Sequence, residues 1–257
     1  MIVGGLDIGS TTGKAVVMKD GEIVASHLIP TTPVPQKTAS LVMDETIAKA
    51  GLSSLEDLDN IVSTGYGRLQ IDFASENISE ISCHAKGAHW MAPSTRTVVD
   101  IGGQDCKVIR THQGKVEDFE MNDRCAAGTG RFLEVMAATL GFSIEEIGHH
   151  ALQADESATI NSMCTVFAES EVISLISQGE DPRKIAFGLH NSIANRIFSM
   201  LGRIGIRKNI VFAGGVARNN CMVVLLEKRF GQQLIIPEEP QLVGSIGAAL
   251  SANGGEQ

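Results

Sequence analysis

Two aspartates and two cysteines are the residues best placed for chemistry in this chain. Asp7 closes an apolar run (residues 2–6) and enters the turn Gly9-Ser10-Thr11-Thr12-Gly13, while Asp100 closes another (residues 97–99) and enters Gly102-Gly103-Gln104. Backbone N–H groups in such turns are open to phosphate oxygens because few side chains stand in the way. A carboxylate beside each turn offers hard oxygen to Mg²⁺, which keeps several waters and needs few protein ligands. Asp7 and Asp100 are therefore expected to serve Mg²⁺. Gly9, Ser10, Thr11, Thr12, Gly102 and Gly103 are expected to cradle phosphate, with Lys14 within reach of it. The alternatives are a turn that only ends a buried strand and, for Lys14, a solvent-facing strand lysine.

The cysteines occupy two related settings. Cys125 lies in Asn122-Asp123-Arg124-Cys125-Ala126-Ala127-Gly128-Thr129-Gly130-Arg131, ahead of an apolar stretch at 132–140, and Cys164 in Asn161-Ser162-Met163-Cys164-Thr165, ahead of another at 166–176. Both thiols are expected at helix N-termini, where the macrodipole and unpaired N–H groups favour the thiolate. Two thiolates do not complete a soft tetrahedral site. As ligands they would need a second chain across a two-fold axis to hold a [4Fe-4S] cluster; as non-ligands they are spare thiols. Cys83, Cys106 and Cys221 read as structural, and the pair His149-His150 as capping or solvating a loop.

These residues recur in a frame that the chain repeats. Asp7-Ile8-Gly9 with Lys14 and Gly21 returns 93 positions later as Asp100-Ile101-Gly102 with Lys107 and Gly114, and Asn60-Ile61-Val62 with Gly65 returns 149 positions later as Asn209-Ile210-Val211 with Gly214. Hairpin, helix, then a buried strand ending in a glycine turn is the order in each half, so a whole domain is duplicated. Asp20-Gly21 signals a hairpin, giving three antiparallel strands over residues 2–29. Helices are expected at 37–50 and 80–91, a strand at 61–63, and a long helix from Asp181-Pro182 with apolar residues Ile185, Leu189, Ile193, Ile197, Leu201 and Ile204. The last helices are expected at 218–230 and 244–252. Pro93-Ser94 marks the boundary between a first domain (1–94, with a returning segment 241–257) and a second (95–240) that carries the cysteines.

The turn at Phe212-Ala213-Gly214-Gly215, after a strand and before a helix, is a switch-point location, so Gly214 and Gly215 are expected to admit adenosine. Gly9 to Lys14 is not a P-loop. Only three residues separate its glycines, and Ala15 follows Lys14 where Ser or Thr is required.

Net charge is -9 with 43% apolar residues, which suits a globular chain with a real core and argues against nucleic acid as a partner. No stretch approaches the length of a membrane span and no leader precedes the first strand, so a cytoplasmic protein without membrane contact is expected.

Asp7-Ile8-Gly9-Ser10-Thr11-Thr12, Asp100-Ile101-Gly102-Gly103-Gln104-Asp105 and Ala213-Gly214-Gly215 resemble the phosphate and adenosine motifs of the acetate and sugar kinase, heat-shock chaperone and actin superfamily. Within it, the Cys125 motif with Phe132-Leu133, and Cys164-Thr165-Val166-Phe167-Ala168-Glu169-Ser170-Glu171-Val172, closely resemble the activator component of 2-hydroxyacyl-CoA dehydratases. The resemblance spans nearly the whole chain, including Thr64-Gly65-Tyr66-Gly67-Arg68 and Ser82-Cys83-His84-Ala85.

It implies an α/β, duplicated ribonuclease-H-like (actin-like ATPase) fold: two domains with mixed sheets flanked by helices and a nucleotide cleft between them. It also implies a homodimer bridged by one [4Fe-4S] cluster on Cys125 and Cys164 of each chain. Ferredoxin or flavodoxin would load an electron, and ATP hydrolysis to ADP with Mg²⁺ would drive it into an iron-sulfur partner enzyme. A 2-hydroxyacyl-CoA dehydratase is the first such partner; a double-cubane cluster protein or an aromatic-acyl-CoA reductase is the alternative. Gln104 would orient the attacking water, since a neutral amide positions water without taking its proton, and Gly128 and Gly130 would touch nucleotide. Two other classes stay open: a metabolite kinase, and a nucleotide-switched chaperone whose substrate domain is missing after residue 257.

Overall fold

A computed structural model describes residues 1–162 and 164–254; Met163, in the second cysteine motif, and residues 255–257, the end of the returning segment, lie outside the described residues. The chain opens with strands β1 (Ile2–Ile8), β2 (Thr12–Lys19) and β3 (Glu22–Pro30), followed by helix α1 (Pro35–Lys49), β4 (Asn60–Thr64), β5 (Glu76–Asn77) and α2 (Glu80–Met91). The frame then repeats with β6 (Thr97–Ile101), β7 (Cys106–His112) and β8 (Lys115–Asn122). Helices α3 (Gly130–Leu140), α4 (Ile147–Leu152) and α5 (Thr165–Ser177) follow, before α6 (Pro182–Ile204), β9 (Ile210–Ala213), α7 (Asn220–Phe230) and α8 (Val243–Ala252).

The duplication is visible in the sheets. One runs β3-β2-β1-β4-β5 and the other β8-β7-β6-β9, so the first four strands of each half keep the same order. In the first sheet β1 is antiparallel to β2 and parallel to β4. Both hairpins turn through two consecutive positive φ angles, Asp20 (51°) with Gly21 (88°) and Gln113 (51°) with Gly114 (74°), the type I′ geometry that matches strand twist.

The described residues pack as two compact units, 1–98, 111–117 and 237–254 forming one and 99–110 and 118–236 the other. In the first, side chains alternate across the sheet by the two-residue period of a strand. Leu6, Ala15 and Val17 face Val42, Met43 and Ile47 of α1, while Val3, Val16 and Met18 face Cys83, Ile246 and Ala249. Helix α8 lies almost backbone to backbone on its neighbours: a Cβ on Gly5 would stand 2.1 Å from the Ser245 carbonyl oxygen, and one on Gly247 would stand 1.8 Å from that of Cys83.

In the second unit one core gathers Val99, Ile101 and Phe212 from the strands with Phe132, Leu133 and Met136 of α3 and the expected α6 stripe from Ile185 to Ile204. Asp181 caps α6, its carboxylate accepting from the Arg183 N–H at 2.8 Å, with Pro182 in the first turn.

Three expectations are corrected. The penultimate helix starts at Asn220, not 218, because a 3₁₀ turn, Gly215–Arg218, intervenes and the Asn219 side chain caps by accepting from the Met222 N–H at 3.0 Å. His149 and His150, expected to cap or solvate a loop, lie in the last turn of helix α4 itself; the His150 ring stacks on Phe142 with centroids 4.3 Å apart. The third concerns Cys125 and is given below. No helix among the described residues is long and apolar enough to cross a membrane.

Candidate functional site

In the first unit Asp7 stands at the end of β1, 5% exposed, with Lys14 Nζ 3.2 Å from its Oδ2. Lys14 is thus not a solvent-facing strand lysine. In the second unit Asp100 ends β6 in the same way, and Lys107 Nζ lies 2.8 Å from Asp100 and 2.6 Å from Asp105. Both turns close on themselves, the Gly9 N–H donating to the Thr12 carbonyl and the Gly102 N–H to the Asp105 carbonyl, each at 3.0 Å. The phosphate-facing capacity of each turn therefore rests on the groups after its first glycine. Ser10, Thr11 and Thr12 are half-buried and Gln104 is exposed.

The second repeat explains itself in space. Gly65 and Gly214, the glycines that end β4 and β9, adopt φ of 86° and 83° and press against the carboxylates of their own units. A Cβ on Gly65 would lie 2.4 Å from Asp7 Oδ1, and one on Gly214 would lie 2.3 Å from the Ile101 carbonyl and 2.9 Å from Asp100 Oδ1. Only glycine fits there, on grounds of both backbone angle and space. Gly214 is buried and Gly215 exposed.

Within the second unit the Asp100 turn is tied to the first cysteine segment. The Gly130 N–H donates to the Gly102 carbonyl at 2.8 Å and the Arg131 N–H to the Gly103 carbonyl at 2.7 Å, so the turn satisfies the opening N–H groups of α3. These are the groups that an anion at this helix end would otherwise meet. Ahead of them, Thr129 donates from N–H and Oγ to the Ala126 carbonyl at 3.1 and 2.6 Å, and Gly128 takes φ of 82°. This tight turn places Cys125 four residues before the cap position of α3. The expectation of a helix N-terminus fails for Cys125 and holds for Cys164, which is itself the N-cap of α5.

Each cysteine segment is anchored by a residue whose role sequence reasoning missed. The Asn122 amide donates to the Cys125 carbonyl at 2.7 Å. Glu171 accepts from the N–H groups of Asn161 and Ser162 at 2.9 and 2.8 Å, and from the Asn161 amide at 3.0 Å. Burial alone would raise the Glu171 pKa, but these hydrogen bonds outweigh it and hold the carboxyl below its ordinary range. Both residues sit inside the quoted motifs, so their presence was legible and their partners were not.

The five thiols divide by environment. Burial pushes Cys83 and Cys221 up to about 12 and Cys106 up to about 11, which keeps them protonated and inert. Cys125 and Cys164 are exposed. No group of three or more His, Cys, Asp or Glu side chains that could hold a metal occurs among the described residues. The donor set of one chain is two open sulfurs, half of what a four-thiolate cluster takes.

The chain is 46% identical over 250 residues to the 2-hydroxyisocaproyl-CoA dehydratase activator of Clostridioides difficile, covering 96% of this chain and 93% of that protein. Among solved structures, the Acidaminococcus fermentans (R)-2-hydroxyglutaryl-CoA dehydratase component A superposes with a TM-score of 0.94 at 41% identity, covering 99% of this chain and 98% of that one. The activator of the 2-hydroxyisocaproyl-CoA dehydratase from Clostridium difficile with bound ADPNP superposes at 0.91 and 45% identity, covering 98% and 94%. Residues 5–252 match the sequence profile of one ATPase family, and the chain belongs to it: the BadF/BadG/BcrA/BcrD ATPase family.

Proposed function

We propose that this protein is an ATP-driven one-electron donor that activates a 2-hydroxyacyl-CoA dehydratase. Similarity to activators of such dehydratases over nearly the full chain supports the acceptor. Asp7 and Asp100 hold the hydration shell of Mg²⁺. Ser10, Thr11, Thr12, Lys14 and Gly103 bind phosphate oxygens, Gly214 and Gly215 admit the adenosine, and exposed Gln104 aligns the attacking water.

Cys125 and Cys164 of two chains hold one [4Fe-4S] cluster, and the residues fit it: two open sulfurs per chain, with no third ligand beside them among the described residues. When bound, the cluster supplies one-electron chemistry at low potential, with ferredoxin or flavodoxin as the source of the electron. The second copy has a surface to meet. Helix α5, which Cys164 opens, is apolar on its outer side as well as its inner one, with Val166 68%, Phe167 67% and Ile173 52% exposed. An exposed apolar patch of this kind marks an interaction surface, here that of a homodimer.

The observation that carries the coupling is the pair of hydrogen bonds from Gly130 and Arg131 to Gly102 and Gly103. Any shift of the phosphate turn on hydrolysis pulls on the segment that starts at Cys125. ATP and ADP need only favour different positions of that turn for the shift to reach the sulfur. Such chemistry suits the cytoplasm of an anaerobic cell.

Protein purified without oxygen should be brown, dimeric, and carry about four irons per two chains. Cys125→Ser or Cys164→Ser should abolish iron while leaving ADP binding intact. Asp7→Asn and Asp100→Asn should each slow hydrolysis about a hundredfold, on the order of 2.7 kcal/mol of barrier. Colourless monomer that phosphorylates a small metabolite would refute the reading in favour of a kinase.

A further inference from the structure

Arg196, on α6, stands apart from the other arginines around it. Arg203 pairs with Glu120, Arg131 with Glu134 and Arg183 with Asp181, and Arg229 donates to Asn195 and Asn191. The Arg196 Nε is enclosed and finds no hydrogen-bond partner among the described residues, and no carboxylate pairs with its guanidinium. Half-buried charge without compensation is costly, and an orphaned buried donor calls for a partner.

The surroundings indicate where that partner belongs. The methylene stem of Arg196 lies against Gly128, three residues after Cys125: a Cβ there would stand 2.9 Å from Arg196 Cδ. A cavity of about 500 Å³ is lined by Arg196 together with Asn122, Ser192, Asn195 and Ser199. Asn122, on that wall, is the residue that donates to the Cys125 carbonyl. Buried Cys106 lies near both: the Arg196 charge and the Asn122 amide each act against the upward push of burial on its thiol. One open cation and one anchoring amide thus converge on the loop that presents Cys125.

We infer that Arg196 is a positioning residue for the redox centre: its cation, held under the Cys125–Gly128 loop, offsets the negative charge gathered when thiolates assemble iron there. This rests on the cluster reading above. Four thiolates give a [4Fe-4S] centre net negative charge, and reduction adds one more, so a fixed cation nearby favours the reduced state. Because the same loop runs on to Gly130 and Arg131, which hold the Asp100 turn, nucleotide-driven movement of that turn changes the distance between the cation and the sulfur.

The test is a spectroscopically monitored redox titration of the anaerobic iron-loaded dimer. Arg196→Met keeps the stem and removes the charge, and it should lower the equilibrium constant for reduction at least tenfold, a shift of about 59 mV to more negative potential for one electron. Arg196→Lys should stay close to the parent protein. Equal shifts in both variants, or no shift in Arg196→Met at full iron content, would overturn the inference. If Arg196→Met retains no iron, Arg196→Gln and Arg196→Lys decide: iron kept only by lysine supports the charge, and iron lost by both reduces Arg196 to packing. A parent protein without iron defeats the cluster reading itself, a result separate from any of these.

Discussion

Around Asp7 the turn closes through Gly9 and Thr12 and is hung from Thr31, whose hydroxyl donates to the Gly9 carbonyl at 2.9 Å. Around Asp100 the equivalent turn closes in the same way, but its carbonyls accept from the start of α3, and its lysine serves two carboxylates instead of one. Both copies keep the strand-end aspartate, the lysine on the next strand and a glycine with positive φ pressed against the carboxylate. Duplication kept the carboxylate, the lysine and the glycine, and divergence acted on what each turn is fastened to. The second copy is fastened to the helix that follows a cysteine.

The lysines probe that difference most sharply. Lys107→Met leaves Asp100 and Asp105 close together without their shared cation, and should cost about 3–5 kcal/mol in urea denaturation. Lys14→Met, from a half-buried lysine with a single carboxylate partner, should cost about 1 kcal/mol. Equal losses would mean that the two pairs are equivalent after all.

Gly65→Ala and Gly214→Ala test the shared frame. Both impose a left-handed backbone on alanine and drive Cβ into a carboxylate or carbonyl, so each should destabilise by about 2–3 kcal/mol, seen as a lowered Tm. A tolerated alanine at either position would break the structural equivalence of the copies.

Asn122→Ala removes the anchor of the Cys125 carbonyl and should cost about 1 kcal/mol of stability. Iron should be lost to a chelator faster, while ATP turnover of the loaded protein stays near normal at first. Unchanged iron release would show that this anchor does not hold the cysteine loop.

A further effect is one of pH. His190 on α6 is fully buried, its Nδ1 2.7 Å from the Ala186 carbonyl oxygen and its Nε2 accepting from the Asn219 amide at 3.0 Å. Burial pulls it from 6.5 to about 4, so the unfolded chain binds the extra proton first. Stability should be full above pH 6.5 and decline as pH falls toward 4. His190→Gln should flatten that decline in melting curves; an unchanged slope would remove His190 from the account.

Much of this was legible in the residues. The hairpins follow from Asp20-Gly21 and its repeat, α6 from Asp181-Pro182 and a 3.6-residue apolar stripe, and the matching strand-end turns from Asp-Ile-Gly recurring at constant spacing. What escaped had either no local signal or a long-range cause. Strand β5 is two exposed residues, Glu76–Asn77, paired in parallel with β4. The displacement of Cys125 from its helix depends on Gly102 and Gly103, distant in sequence, taking the N–H groups of α3. Arg196 is one polar position on a helix whose apolar face dominates the pattern, and its enclosed, unpartnered Nε appears only in three dimensions.

The intimate seat of α8 on β1 and α2 bears on how the protein is made. Gly5 leaves the ribosome 240 residues (245 − 5) ahead of Ser245, against whose carbonyl it packs. The first sheet must therefore wait, half-covered, while the second unit is synthesised and folds. A nascent chain stalled before residue 243 should be a ready client for chaperones, and loss of the last helix should unfold the beginning of the polypeptide before its middle.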